Sequence, residues 1–116
     1  MLVRKISSSV TLDDRNIYVG RNARWGENFW GNPFVVGVHG KRGECIAMFE
    51  QWLKTADHIL ARIDELRGAN LFCHCHPLRC HAEVLAEVAC MSAAARERWR
   101  ASPLSCLEVD FEDYTV

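Results

Sequence analysis

A chain of 116 residues that is 49% hydrophobic and 25% charged, with net charge −1, has the make-up of one ordinary globular domain over residues 1–116 and needs no disulfide staples. No window approaches the roughly 18 apolar residues of a spanning helix, and MLVRKISSS has no apolar run behind its basic residues, so a cytoplasmic protein with no membrane partner is expected. Of the six cysteines, three crowd at 73, 75 and 80 without a secretory signal, which favours reduced thiols over a disulfide framework.

Charge is unevenly spread. Residues 1–43 carry seven Lys/Arg against three acids, whereas residues 104–116 carry four acids and no base. A basic front half suits a phosphate or a polyanion, and the acidic tail suits a protein partner.

In chain order, NIYVG (16–20) is β-branched and aromatic and ends in glycine, which predicts a short strand entering a turn. RNARWGENFWGNPF (21–34) is too broken by Gly, Asn and Pro for a helix and too aromatic for a linker. VVGVHGKRG predicts a short strand and a glycine turn. From Glu44, the positions of Cys45, Ile46, Met48, Phe49, Trp52 and Leu53 mark one apolar helical face. A second helix is expected after a capping Asp57, with Ile59, Leu60, Ile63 and Leu66 inward and Gly68 closing it. ANLFCHC (69–75) predicts a buried strand, HAEVLAEVACM (81–91) a helix on Val84, Leu85 and Val88, and Ser92 a cap for AAARERWRA. The tail after Pro103 alternates Leu107, Val109 and Phe111 with acids, which reads as an edge strand or an ordered wrap. The alternation predicts a small α/β or α+β domain, a short and mostly parallel sheet flanked by helices.

Two stretches, YVGR followed by WGNPF and the later FCHCHPLRCHAEVL, together resemble the DUF4326 family of bacteria and their phages, a domain of unknown function. The resemblance covers residues 16–90 and singles out Tyr18, Gly20, Arg21, Gly31, Asn32, Pro33, Phe34, Cys73, Cys75, Pro77, Cys80 and His81. It implies no activity, so function rests on the chemistry of the side chains.

The cysteine segment admits three uses. On a strand, Cys73 and Cys75 point the same way about 6 to 7 Å apart, and a turn at Pro77 can return Cys80 and His81, so these four are the candidate ligands of a closed structural zinc site. Alternatively, Cys73 and Arg79 satisfy the Cys-x5-Arg spacing of thiol phosphatases, although the intervening HCHPL lacks the glycine such phosphate loops use. The third use is plain packing, since thiols are among the most buried side chains.

Arg21 after a strand-ending glycine, Asn32 before Pro33, and the helix start after Pro77 are all hydrogen-bond donors that suit an anion. If the strands are neighbours, their carboxyl ends bring these groups to one rim, where open α/β sheets bind ligands. The expected ligand is a nucleotide or a nucleic-acid end, bound by Arg21, Asn32, Trp30 and Arg79, with Trp25 and Phe29 as further stacking surfaces. Whether it is an enzyme the residues leave open; were the site hydrolytic, His81 and Arg21 are its candidate catalytic residues, His81 because an imidazole titrates near neutrality. The competing expectation is a phage-type or zinc-stabilised interaction module that docks on a host protein and catalyses nothing.

Overall fold

The computed structural model describes residues 3–25, 28–74 and 78–106. Strands β1 (Val3–Lys5), β2 (Asn16–Tyr18) and β3 (Asn70–Cys73) form a parallel sheet in the order β1-β3-β2. Around it run helices α1 (Arg42–Leu53), α2 (Asp57–Leu60), α3 (His81–Cys90) and α4 (Ala93–Ala101). The expected parallel sheet with flanking helices is therefore present.

β3 occupies the centre because it can be buried on both faces. Leu71 and Cys73 alternate with Phe72, and all three are buried. Leu71 and Cys73 face the main core, where α3 packs on the sheet and against α1. Phe72 faces a smaller cluster with Ile6 and Tyr18, which Val10, Leu12 and Trp25 flank. In register, Val3 pairs with Leu71 and Tyr18 with Phe72. Pairing continues past the strand ends, since Val19 N donates to Phe72 O at 2.9 Å and Ile6 N to Cys73 O at 2.9 Å. Gly20, Arg21 and His74 thus leave the sheet together at its carboxyl edge.

Several expected elements differ in detail. β1 was not expected: only three residues long, with Arg4 and Lys5 exposed, it lacks the apolar alternation of a half-buried strand. The segment after Phe34 is not a strand. Val35–Gly40 closes as a turn, with Gly37 N donating to Gly40 O at 2.9 Å and Val36 bridging Gly40 alone. Gly37 has φ 88°, a left-handed conformation that suits glycine.

The helix expected after Asp57 divides into α2 and a 3-10 turn at Ile63–Leu66, because Arg62 leaves helical geometry with φ −114° and ψ 2°. Ile59, Ile63 and Leu66 stay buried in either arrangement, so the apolar spacing could not separate the two. Asp57 is not the cap; it is the first helical residue, and its carboxylate takes Arg100 Nη2 at 2.8 Å. Two expected boundary signals hold: Gly68 closes its segment with φ 81°, and Ser92 starts α4, its Oγ accepting from Ala95 N at 3.1 Å.

Residues 102–106 wrap onto α1 through a buried polar network. The Glu50 carboxylate, 2% exposed, accepts from Trp99 Nε1 at 2.7 Å, Ser105 Oγ at 2.7 Å and Cys106 N at 2.6 Å. Lys54 Nζ donates to the carbonyls of Ser102 and Leu104, and burial lowers its pKa. The expected edge strand or wrap beyond residue 106, like the turn at Cys75 and Pro77, lies outside the described residues.

Candidate functional site

At the carboxyl edge of the sheet a cavity of about 520 Å³ opens between the end of β2, the loop through Asn32 and the first turns of α1 and α3. Its formation follows from the Tyr-x-Gly-Arg end of β2. The Tyr18 side chain curls back over Gly20, and its Oη accepts from Asn22 N at 3.0 Å. A Cβ on Gly20 would stand 2.3 Å from that oxygen, so residue 20 must be glycine for the chain to turn here. Gly31 serves the same end across the loop, because a Cβ there would stand 2.6 Å from Arg21 Cγ. The arginine stem is laid against a position without a side chain.

Arg21 and Arg42 both line the cavity, Arg21 from the end of β2 and Arg42 from the first turn of α1. Neither has an ion pair among the described residues, and no carboxylate belongs to the described lining. Two helix N-termini add to the positive potential: α1 presents Arg42, and α3 presents its cap residue Cys80 and first residue His81. Phe34, Val35, Val36 and Ile46 supply an apolar wall. Tyr18 adds an aromatic one, with His74 edge-on to it at 5.8 Å.

The expected rim therefore contains Arg21, Asn32 and His81 together. Their roles differ. Asn32 is committed within the fold: its Oδ1 accepts from Phe34 N at 2.9 Å and its Nδ2 donates to Cys45 O at 3.3 Å, which pins the loop to α1.

His81 departs from the expectation of a near-neutral imidazole. It is 6% exposed, packs edge-on against Phe49 at 5.1 Å, and its Nε2 pairs with Val19 O at 2.7 Å. Burial pushes its pKa down to about 4; bonds to the backbone of Val19 and Trp30 resist this, and the nearby Arg21 charge reinforces it. A neutral ring strapping α3 to the end of β2 is a strut for the cavity wall rather than a proton donor at neutral pH.

Two expected ligand residues stand elsewhere. Trp30 is 6% exposed and belongs to the main core. With Trp25 and Phe29 it borders a different groove, under Arg62, so the aromatic residues of the cavity lining are the half-buried Phe34 and the buried Tyr18 instead. Arg79 is paired with Glu83 at 3.0 Å, one helical turn on, and borders a groove near Pro103. Of the Cys-x5-Arg pattern, Cys73 is buried in the core and Arg79 is paired with Glu83, and residues 75–77 between them lie outside the described residues.

Arg42 was not anticipated. A helix read as starting at Glu44 leaves it in a turn, whereas Glu44 Oε1 accepts from Lys41 N at 2.9 Å and marks Lys41 as the cap. A glutamate three residues after the helix boundary was the available signal.

For the candidate zinc ligands, Cys73 and Cys80 come together with sulfurs 3.2 Å apart. His81 turns Nε2 to the Val19 carbonyl instead. Among the described residues no group of three or more His, Cys, Asp or Glu is placed to hold a metal. The described donors are thus two sulfurs, and Cys75 lies outside the described residues. Among those same residues no helix is long and apolar enough to cross a membrane.

Comparison with known proteins adds relatives without a stated activity. The family model described as "Domain of unknown function (DUF4326)" matches residues 3–91. A protein of Enterobacteria phage T4, described as "Uncharacterized 12.4 kDa protein in nrdA-td intergenic region", is 33% identical over 64 residues, covering 52% of this chain and 58% of the phage protein. The chain thus spans a little over half the length of that relative. No solved structure matches the chain.

Proposed function

The chain belongs to the DUF4326 family, and from that premise we propose that it binds a phosphate-bearing ligand, a nucleotide or the end of a nucleic-acid strand, in the cavity at the carboxyl edge of the sheet. One observation carries the reading: Arg21 and Arg42, without ion pairs among the described residues, share that cavity with the N-termini of α1 and α3 and with no described carboxylate. Guanidinium groups make charge-assisted, often bidentate bonds to phosphate oxygens, and helix N-termini add backbone donors and a favourable dipole.

The apolar side of the cavity suits the rest of such a ligand. Phe34, half-buried in the lining, offers aromatic surface to a nucleobase, a preference of about 1–3 kcal/mol per stacked base that tolerates any base identity. A volume of about 520 Å³ falls within the roughly 300–1,000 Å³ of small-molecule sites. His81 enters this reading as a positioning residue. It holds the wall that carries Arg21 and presents no titrating group at neutral pH, so binding is proposed and a reaction is not.

A thermal-shift panel of nucleoside mono-, di- and triphosphates, 5′-phosphorylated oligonucleotides and inorganic phosphate tests the reading. A ligand present at 100 times its Kd should stabilise the fold by about 2.7 kcal/mol. Stabilisation by phosphorylated compounds and none by the matching nucleosides supports the site. No shift with any phosphate-bearing compound overturns it.

A further inference from the structure

Anion binding makes no use of the two sulfurs where β3 ends and α3 begins. Cys73 faces the helix-covered side of the sheet, and Cys80 caps α3; their Sγ atoms lie 3.2 Å apart. A disulfide requires about 2.05 Å, so roughly 1 Å of approach separates the pair from a covalent bond. That approach is cheap at Cys80. With φ −151° and ψ −178° the cap residue is extended and sits outside the helical body of α3, so it can shift without unwinding a turn. Cys80, 3% exposed, also belongs to the cavity lining, whereas Cys73, 1% exposed, does not, so Cys80 is the member of the pair nearer to a solute in the cavity.

We propose that Cys73 and Cys80 form a peroxide-oxidisable dithiol, a redox modification site in the cavity wall whose product is an intramolecular disulfide tying the end of β3 to the start of α3. The Cys80 thiolate attacks one oxygen of hydrogen peroxide, the O–O bond breaks, and hydroxide leaves, giving a sulfenic acid. Cys73 sulfur then attacks Cys80 sulfur, the S–S bond forms, the S–O bond breaks, and the second hydroxide departs. The two thiol protons convert both hydroxides to water, so two thiols and one peroxide give one disulfide and two waters, and the peroxide accepts both electrons. A dithiol reductant reverses the step by exchange. The site stands independently of whether a phosphate-bearing ligand binds.

Cys45 provides an internal control, since it lines the same cavity but donates its thiol to Gly40 O at 3.6 Å. The full chain is reduced, freed of reductant, exposed to hydrogen peroxide, denatured, alkylated and mapped by peptide mass. The expected result is one cross-link between Cys73 and Cys80, with Cys45 still alkylated and the cross-link lost on adding dithiothreitol. In a Cys73→Ala variant that keeps the native circular-dichroism spectrum, Cys80 should instead accumulate sulfenic acid, read with a dimedone probe. Three results overturn the proposal: Cys73 and Cys80 both fully alkylated after peroxide, either one cross-linked to a different cysteine, or stoichiometric zinc on the purified chain that blocks the oxidation.

Discussion

Replacing Gly20 with alanine tests the turn that builds the cavity. The added Cβ would meet Tyr18 Oη at 2.3 Å, Cζ at 2.5 Å and Cε1 at 2.9 Å, distances at which the ring must move. Gly20 is not among the glycines with positive φ, so the cost is contact and not backbone strain. Displacing a packed ring costs about 1–3 kcal/mol, and losing the bond from Asn22 N to Tyr18 Oη costs about 1 more. Gly20→Ala should therefore destabilise by about 2–4 kcal/mol. With a urea m-value near 2 kcal/mol/M, the unfolding midpoint falls by about 1–2 M. A Tyr18→Ala/Gly20→Ala pair removes the obstructing ring and loses the Asn22 bond only once, so its cost should be about 2–4 kcal/mol less than the sum of the single changes. Gly20→Ala within about 0.5 kcal/mol of the parent, or a strictly additive pair, refutes the reasoning.

Arg42→Ala should leave stability within about 0.5 kcal/mol while weakening a phosphate-bearing ligand tenfold or more, about 1.4 kcal/mol, measured by urea unfolding and titration calorimetry. Glu50→Ala strips two buried donors, Trp99 Nε1 and Cys106 N, and the half-buried Ser105 hydroxyl of their acceptor and should cost about 3–5 kcal/mol by urea unfolding. His81 sets a pH dependence. Its folded pKa of about 4 lies below the ordinary 6.5, so the unfolded chain binds the proton first. Stability should be level above about pH 6.5 and fall by roughly 3 kcal/mol as pH drops to 4, with a flatter profile in a folded His81→Gln variant.

What the residues reveal on their own is mostly local. The apolar faces of α1 and α3, the Ser92 cap and the Gly68 stop follow from spacing and backbone preference, and they reappear in the fold. Arg21, Asn32 and His81 were legible as a common rim because parallel strands bring their carboxyl ends to one side. Long-range partnerships were not legible. Glu50 meets Trp99 and Ser105 across about half the chain, and no local pattern marks a buried carboxylate with three donors. Trp30 has the composition of a stacking residue but fills the core, and Arg79 is claimed by Glu83 one turn away. β1 carries no strand signal because Val3 alone of its three residues packs against the core.

Arg21 and Arg42 sharing one bound anion is decided by calorimetric titration of the best phosphate-bearing ligand into a pair of arginine variants. Arg21→Ala should lose at least tenfold in affinity, whereas Arg24→Ala, whose guanidinium lies over Trp25 at 4.6 Å outside the cavity lining, should bind as the parent does. Equal affinity in the parent and Arg21→Ala, or equal losses in both variants, would rule Arg21 out of the anion site.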